Sequence, residues 1–433
     1  SFHTFRTFVH TTFAFLFFFL PPTLRYSPPS DCFCAGLGRN EMALVRGTTS
    51  RLLSITRRSG WQKAEIGGCS FRSLHSLRVL FFGTDSFSLP VLQLINQYRN
   101  KPSRTHPSKP LIESVEVVCP GPRKRGRGRK PFACSVHEYA IEHQLGVIEV
   151  PEGVKSLKKW EESPVEKFEE GQFDIGVVVS FGFFIPPSYL TKMKLGALNV
   201  HPSMLPKYRG PAPIHHALLN GDKETGLSII EVSPKAFDVG AIFHQEKLTI
   251  GETEMRSALT SRLRDTGANA IISTLLEYEE RKNTAIVQEN IEGCRAPKVE
   301  KEMAHIEFNA TSSIETSRKY RALAEDFGGI KTVAEIPGKE ALILKLTHLD
   351  LDLNNHSMPE DLEVCPPGSV LLQGKGPTST LVIRTTDGCV RATKVRPHGR
   401  KEQSADGFVN GYLSAHPTRR RVEGGWVFEG VFR

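Results

Sequence analysis

The sequence predicts an α/β domain with a mostly parallel, Rossmann-like sheet, followed by a smaller β-barrel of the OB type. Residues 77–82 form an apolar run that ends at Gly83, and an apolar-periodic segment follows, which is typical of a strand, a turn and a helix. Strand-like and helix-like runs then alternate as far as Tyr278, as in a parallel sheet covered by helices. Beyond Ser317, short strands are separated by Gly and Pro turns, which favours a small barrel.

Each element of the first domain, residues 76–280, follows from a local pattern. Runs rich in β-branched and large apolar residues predict strands at residues 77–82, 115–118, 147–150, 177–179, 198–200, 225–232 and 241–250. Apolar residues at helical spacing predict helices at residues 89–95, 136–146, 214–219 and 257–278. Residues 96–110 are polar and contain proline, so we predict a loop there.

The second half of the chain has a different pattern. Residues 281–316 lose the alternation and are interpreted as a linker. Strands are predicted at residues 341–349, 368–372, 380–385 and 389–395, without helices between them, which gives the OB-like domain of residues 317–413. Residues 414–433 carry no assignable pattern and are left as a tail whose basic run is interpreted as incidental.

Composition limits the classes of protein to consider. The 433 residues are enough for two domains, and the formal net charge of +9 favours a polyanionic partner. The eight cysteines include no paired CxxC motifs, which argues against a zinc site or a disulfide framework. An apolar run of eight residues at positions 13–20 is too short to span a bilayer, so no membrane contact is expected.

The N-terminal residues have the composition of a targeting segment. From Met42 the sequence is rich in Arg and Ser and contains a single acid, Glu65, as far as residue 73, which is typical of a mitochondrial transit peptide. We interpret Met42 as the natural start, residues 1–41 as an added leader, and the rest of residues 1–75 as the transit peptide. This predicts the mitochondrial matrix as the location.

Two polar side chains mark the carboxyl end of one predicted strand. Asn199 and His201 alternate in an extended segment, so both point to the same side of the sheet. A loop rich in proline follows, and Asp238 in a later turn is the candidate carboxylate. These groups suit stabilisation of the negative charge that develops in acyl transfer. The alternative is that Asn199 and His201 are ordinary polar residues satisfied by backbone hydrogen bonds.

The segment Asn-Val-His-Pro-Ser-Met-Leu-Pro at residues 199–206, with Tyr-Arg-Gly at 208–210 and Asp-Val-Gly at 238–240, resembles the 10-formyltetrahydrofolate-dependent formyltransferases. The resemblance implies a formyltransferase domain in which Asn199, His201 and Asp238 are catalytic. It implies 10-formyltetrahydrofolate as formyl donor, and no metal. The implied folate-contacting residues are Ser203, Met204, Leu205 and Pro206.

A basic loop and a basic face of the predicted barrel favour binding to a nucleic acid. Six of the eleven residues at positions 121–131 are Arg or Lys, and the segment resembles a loop of this family that enters the acceptor stem of tRNA. The alternatives are a solvated basic loop and a barrel used only for domain packing. The predicted tRNA-binding residues are Arg123, Lys124, Arg125, Arg127, Arg129, Lys130, Lys394 and Arg396.

The resemblance, with the basic segments and the transit-peptide composition beside it, implies transfer of a formyl group from 10-formyltetrahydrofolate to the α-amino group of initiator methionyl-tRNA. The expected setting is the start of mitochondrial translation, and the expected enzyme is a monomer. One alternative is a related formyltransferase, or a 10-formyltetrahydrofolate hydrolase, that acts on a small molecule. Another is a nucleic-acid-binding protein with an inactive enzyme domain. The basic segments favour tRNA, and the intact trio of Asn199, His201 and Asp238 argues against an inactive domain.

Overall fold

The structure is a computed structural model that describes residues 76–99, 101, 109–124, 131–160, 163–289, 295–336, 338–352, 357–423 and 425–433. The predicted leader and transit peptide lie outside these residues. Within the described segments, none of the helices combines the length and the apolar character needed to cross a membrane.

The first domain is built on a seven-stranded sheet with the order β5-β2-β1-β6-β7-β8-β9. Its first five strands run parallel, whereas β8 and β9 are antiparallel additions at one edge. A two-stranded ribbon, β3 with β4, follows β2. The strands are β1 (Leu77–Gly83), β2 (Ile112–Pro120), β3 (Arg123–Lys124), β4 (Pro131–Phe132), β5 (Gly146–Val150), β6 (Ile175–Val179), β7 (Ala197–His201), β8 (Glu224–Glu231) and β9 (Ile242–Thr249).

Helices and turns cover both faces of this sheet, so β6 is apolar throughout and β1 is apolar apart from Arg78. In β1, Val79 and Phe81 face one core, whereas Leu80 and Phe82 face the other. Short 3₁₀ turns at Leu157–Lys159 and Pro164–Lys167 cover the second core. The helices are α1 (Leu89–Gln97), α2 (Ser135–Glu142), α3 (Pro187–Leu190), α4 (Pro213–Asn220), α5 (Arg256–Leu276) and α6 (Tyr278–Asn283).

The second domain is an antiparallel sheet with its own core. The strand order is β10-β11-β14-β13-β12-β17-β16, and β15 pairs with β14. Its strands are β10 (Ile330–Ala334), β11 (Leu342–Asp350), β12 (Val370–Gln373), β13 (Thr380–Arg384), β14 (Cys389–Pro397), β15 (Gln403–Ser404), β16 (Arg420–Val422) and β17 (Gly425–Phe428). Its helices are α7 (Ser313–Phe327), α8 (Glu360–Glu363) and α9 (Ala405–Phe408), with a helical turn at Val409–Leu413.

The predicted architecture, an α/β domain followed by an antiparallel β domain, is confirmed. The prediction that no helices occur after residue 316 is wrong. Helix α7 begins inside the predicted linker, where the Ser312 side chain accepts a hydrogen bond from Glu315 N at 3.0 Å, and it ends at Gly328 in the left-handed region. Its apolar residues are shared between two cores: Leu323 packs with the α/β domain and Tyr320 with the second domain. Several of its buried residues are polar, Thr316, Ser317 and Arg321 among them, so its buried face is hard to recognise from apolar residues alone.

Residues 414–433, which the sequence analysis left unassigned, are part of the second domain. Strand β17 pairs with β12, so the tail supplies a strand to the second sheet. Phe432 donates its N–H to Gly368 O at 2.9 Å, and its isolated bridge to Ala334 connects the segment after β17 with the edge strand β10. Phe428, Val431 and Phe432 are buried in the core of this domain, so the last residues close it.

Candidate active site

Strand β7 presents the two predicted polar side chains on one face. Asn199 pairs with Val178 of β6 on one side and with Ile230 of β8 on the other, so its position in the sheet is fixed from both sides. Val200, between the two polar residues, points to the opposite face and packs on α5. A Cβ at Gly267 of α5 would lie 2.9 Å from Val200 Cγ1, so glycine permits this close packing.

The Asp238 carboxylate lies close to both Asn199 and His201 of β7. Its Oδ1 lies 3.4 Å from Asn199 Nδ2, which donates a hydrogen bond, and 3.6 Å from His201 Nδ1. Its Oδ2 accepts a hydrogen bond from Gly210 N at 3.0 Å. Asp238 adopts the left-handed region at φ 57°, which is uncommon for a residue other than glycine and turns the carboxylate toward the strand. The structure therefore brings the three predicted catalytic residues together.

The surroundings of His201 assign different tasks to its two ring nitrogens. Nε2 lies 3.0 Å from the carbonyl oxygen of Tyr208, which only accepts, so this nitrogen carries a hydrogen. Nδ1 faces Asp238 at 3.6 Å, a distance longer than a hydrogen bond. Nδ1 is therefore the nitrogen left to exchange a proton at the site. The ring is almost completely buried, which limits its rotation.

Tyr208 holds the carbonyl that orients His201. Its hydroxyl donates to Asp222 Oδ2 at 2.8 Å and accepts from Asn220 Nδ2 at 2.8 Å. Burial raises the pKa of the Tyr208 phenol; the bond from Asn220 lowers it, and the Asp222 carboxylate raises it further. The phenol therefore stays neutral and keeps donating. Lys207 pairs with the same carboxylate at 2.7 Å, so Asp222 joins the two residues.

A cavity of about 410 Å³ opens beside the three polar groups. Its walls are mainly apolar and aromatic, and Phe184 meets Phe237 edge to face with 5.2 Å between ring centroids. Its volume lies within the range of roughly 300–1,000 Å³ common for small-molecule sites. The lining comes from the ends of β6 to β8 and the loops that follow them: residues 178, 180–185, 199–202, 210, 211, 213, 230–233 and 236–238.

The predicted folate-contacting segment lies outside this lining. Ser203 is completely buried and donates to Lys207 O at 2.7 Å. Leu205 N donates to Ser228 Oγ, and Leu205 O accepts from Gln245 Nε2 at 2.8 Å. Met204 and Pro206 also do not line the cavity, which Pro202 reaches instead. In this structure the segment anchors the loop after β7, and its contact with folate stays a prediction.

The predicted basic residues fall in three places. Arg123 and Lys124 form β3, which pairs with Phe132 and Pro131 at the base of the ribbon. Arg125, Arg127, Arg129 and Lys130 lie outside the described residues. Lys394 and Arg396 lie on β14, where both approach Glu402, at 3.5 and 3.3 Å. The ribbon follows the carboxyl end of β2, so it rises from the same sheet edge as Asn199 and His201.

Sequence reasoning missed several residues of the site. The cavity wall of residues 181–185 directly follows β6, and β6 is the parallel neighbour of β7. A signal for it was available, since loops at the carboxyl ends of neighbouring parallel strands meet at one edge. The carbonyl of Tyr208 and the N–H of Gly210 act through the backbone, which leaves no signature in residue type.

Comparison with known proteins places both domains. The model of the formyl transferase family matches residues 77–275, and that of the formyl transferase C-terminal domain matches residues 298–413. The mitochondrial methionyl-tRNA formyltransferase of Rattus norvegicus is 33% identical over 78% of this chain and 79% of its own length. The human protein of the same name is 32% identical over 86% of this chain and 86% of its own length. The methionyl-tRNA formyltransferase of Synechococcus sp. JA-3-3Ab is also 32% identical, over 77% of this chain and 95% of its own length.

A solved structure of lower similarity was also found. The N-formyltransferase of Helicobacter canadensis, determined with folinic acid and dTDP-3-aminofucose, is 17% identical with a TM-score of 0.48, over 73% of this chain and 98% of that chain.

Proposed function

This chain belongs to the formyl transferase family, and we propose that it transfers the formyl group of 10-formyltetrahydrofolate to the α-amino group of methionyl-tRNA. The product is N-formylmethionyl-tRNA, which initiates translation. The observation that carries this proposal is the convergence of Asn199, His201 and Asp238 at one end of an apolar cavity.

The cavity supports a folate as the donor. Planar rings bind well between aromatic and aliphatic side chains, and Phe181, Phe184 and Ile185 provide such walls. The polar groups line the same cavity, so they are available to a formyl group carried on N10 of a folate that binds there. Pro202 and Gly210 border the same end, and the loop they belong to is anchored by the segment of residues 203–206.

In the reaction the amine forms a bond to the formyl carbon, the bond from that carbon to N10 of the folate breaks, and one proton passes from the amine to N10. The Asn199 amide donates to the formyl oxygen as it gains negative charge. His201 Nδ1, 3.6 Å from Asp238, takes up the amine proton, and the carboxylate stabilises the imidazolium that results. The Tyr208 carbonyl keeps the ring in the tautomer this step requires.

Three features support methionyl-tRNA as the acceptor. The relatives at about a third identity carry that activity in their names. The basic ribbon rises from the sheet edge that holds the site, where it can bind phosphates of the acceptor stem. The second domain contributes Lys394 and Arg396, although both approach Glu402 and part of their charge is neutralised.

We extend the proposal to the location and the assembly. The mitochondrial relatives and the Arg-rich residues after Met42 support action in the mitochondrial matrix on initiator methionyl-tRNA. A monomer suffices for the chemistry, because all three catalytic groups come from one chain.

The test combines purified protein, 10-formyltetrahydrofolate and initiator methionyl-tRNA and scores formylmethionyl-tRNA. We expect formylation by the wild type, and a loss of about 100- to 1000-fold on removing the oxyanion donor in Asn199→Ala, with methionyl-tRNA binding retained. Release of tetrahydrofolate without formylmethionyl-tRNA would favour a hydrolase or a small-molecule acceptor. Tight tRNA binding without any formyl transfer would favour an inactive enzyme domain.

A further inference from the structure

We propose that Gln288, on the segment linking the two domains, is a positioning residue that holds Asp238 in the catalytic site. The inference deepens the proposed function and rests on it. Gln288 lies fifty residues beyond Asp238 in the chain, after the last helix of the catalytic domain. Its side-chain Nε2 donates to the carbonyl oxygens of Asp238 at 3.0 Å and Gly240 at 2.7 Å.

The orientation of the Gln288 amide is determined by Arg209. Arg209 Nε and Nη2 donate to Gln288 Oε1 at 3.1 and 2.8 Å, and Nη2 also donates to Glu289 O at 2.9 Å. The guanidinium only donates and the two backbone carbonyls only accept. A flipped amide would lose all four Gln288 contacts, so the oxygen faces Arg209 and the nitrogen faces the Asp238 turn.

The backbone at Asp238 needs such support. Asp238 is left-handed at φ 57°, a conformation that is costly for a residue with a Cβ and persists where neighbouring contacts fix it. The two carbonyls held by Gln288 bracket this turn. Rotation of the turn would carry the carboxylate away from Asn199 and His201, whose contacts with it, at 3.4 and 3.6 Å, are already long.

The same segment is fastened to the catalytic domain on both sides of the site. Ile286 exchanges two backbone hydrogen bonds with Ile242 at the start of β9, at 2.8 and 2.9 Å. Farther along, Ala296 N donates to Arg209 O at 2.8 Å, and Ala296 O lies 2.6 Å from where a Cβ of Gly210 would be. Gly210 in turn donates to the Asp238 carboxylate. The interdomain segment therefore holds the catalytic acid from two directions.

Two substitutions separate positioning from a merely structural contact. Gln288→Leu removes all the hydrogen bonds of the side chain. Gln288→Glu keeps an oxygen for Arg209 and adds a charge-assisted pair, but it places an oxygen against the carbonyls of Asp238 and Gly240. If Gln288 serves only to bind Arg209, the Glu variant rescues function. If it positions Asp238, the Glu variant fails although the protein stays folded.

The control is a Gln of the second domain in the same kind of pair. Gln373 on β12 accepts from Arg391 Nη1 at 2.8 Å. Gln373→Leu therefore removes a similar Arg–Gln contact far along the chain from the Asp238 turn. Thermal unfolding of all variants identifies any that does not fold, and the Glu variant decides the question should the Leu variant fail to fold.

Turnover is followed as release of tetrahydrofolate from 10-formyltetrahydrofolate in the presence of methionyl-tRNA. For both Gln288 variants we expect kcat to fall about 10- to 100-fold, because a displacement of about 1 Å can cost that much. The KM for methionyl-tRNA should stay close to the wild-type value, and the control should match the wild type. Wild-type kcat in both Gln288 variants, or rescue by Gln288→Glu, would overturn the proposal.

Hydrogen exchange provides a readout independent of the acceptor. Amides of residues 233–242 should exchange faster in both Gln288 variants and at the wild-type rate in Gln373→Leu. Because tetrahydrofolate release counts transfer to any acceptor, water included, a wrong acceptor does not hide the effect. A wild type that releases no tetrahydrofolate contradicts the proposed function, and unchanged exchange in the variants contradicts the role of Gln288.

Discussion

Replacement of Asp238 by asparagine removes one negative charge and, because an amide has one acceptor oxygen, the long hydrogen bond from Asn199 Nδ2. The amide oxygen of the new side chain can still accept the hydrogen bond from Gly210 N, now 3.0 Å long, so the turn should keep its shape. At 3.6 Å from His201 Nδ1, a unit charge stabilises an imidazolium by about 4–5 kcal/mol at an effective dielectric constant of about 20. Water in the open cavity reduces this to about 3 kcal/mol, which corresponds to a fall in kcat of about 100- to 1000-fold.

The assay is single-turnover formylation of methionyl-tRNA at saturating 10-formyltetrahydrofolate, so that chemistry is measured apart from product release. Asp174→Asn is the matched control, because Asp174 is also a paired carboxylate of the first domain but contacts Arg78 and Lys194 instead of the site. We expect wild-type chemistry in the control. An Asp238→Asn rate within about tenfold of the wild type would show that the charge stabilises no imidazolium during transfer.

Three further predictions concern packing, tRNA and pH. Gly267→Ala forces Val200 away from α5, so we expect thermal unfolding to show a loss of about 1–3 kcal/mol in stability. We also expect a lower kcat, because Asn199 and His201 flank Val200. In the basic loop of residues 121–131, alanine should replace Arg125, Arg127 and Arg129 together. We expect a higher KM for methionyl-tRNA, a weaker dependence of that KM on salt concentration, and an unchanged kcat. Burial alone would raise the pKa of Asp174, but its hydrogen bonds from Arg78 and Lys194 lower it below the ordinary 3.8. The stability difference between wild type and Asp174→Asn, about 1 kcal/mol or less, should therefore be complete above about pH 4 and disappear as the pH falls through the lowered pKa; chemical denaturation against pH measures it.

Side-chain periodicity predicted the part of the site that lies on β7. Alternation along β7 was enough to put Asn199 and His201 on one face, and the strand-end rule put them at the carboxyl edge. Asp238 was identified as the candidate carboxylate, but no local pattern indicates its proximity to β7, because its turn is hydrogen-bonded to Gln288, fifty residues later in the chain. That contact runs from an amide to backbone carbonyls, and neither partner leaves a recognisable spacing in the sequence.

The errors in the second domain have a related cause. Periodicity arguments assume that an element buries one face against one core. Helix α7 divides its apolar residues between two cores, and strand β17 is a run of four residues that pairs with the adjacent β16 and with the distant β12. Contacts distant in sequence complete both elements, so local patterns alone indicate them poorly.

The three groups that we propose to be catalytic are held by different physical means, and substitutions should reveal the difference. Asn199 and His201 sit on a central strand whose opposite face is packed core, so a change there lowers stability and catalysis together. Asp238 sits on an exposed turn held by hydrogen bonds from the interdomain segment, so a change at Gln288 should lower catalysis while stability is nearly kept. Because that segment continues into the second domain, we expect the position of the Asp238 carboxylate to depend on the contacts between the interdomain segment and the first domain.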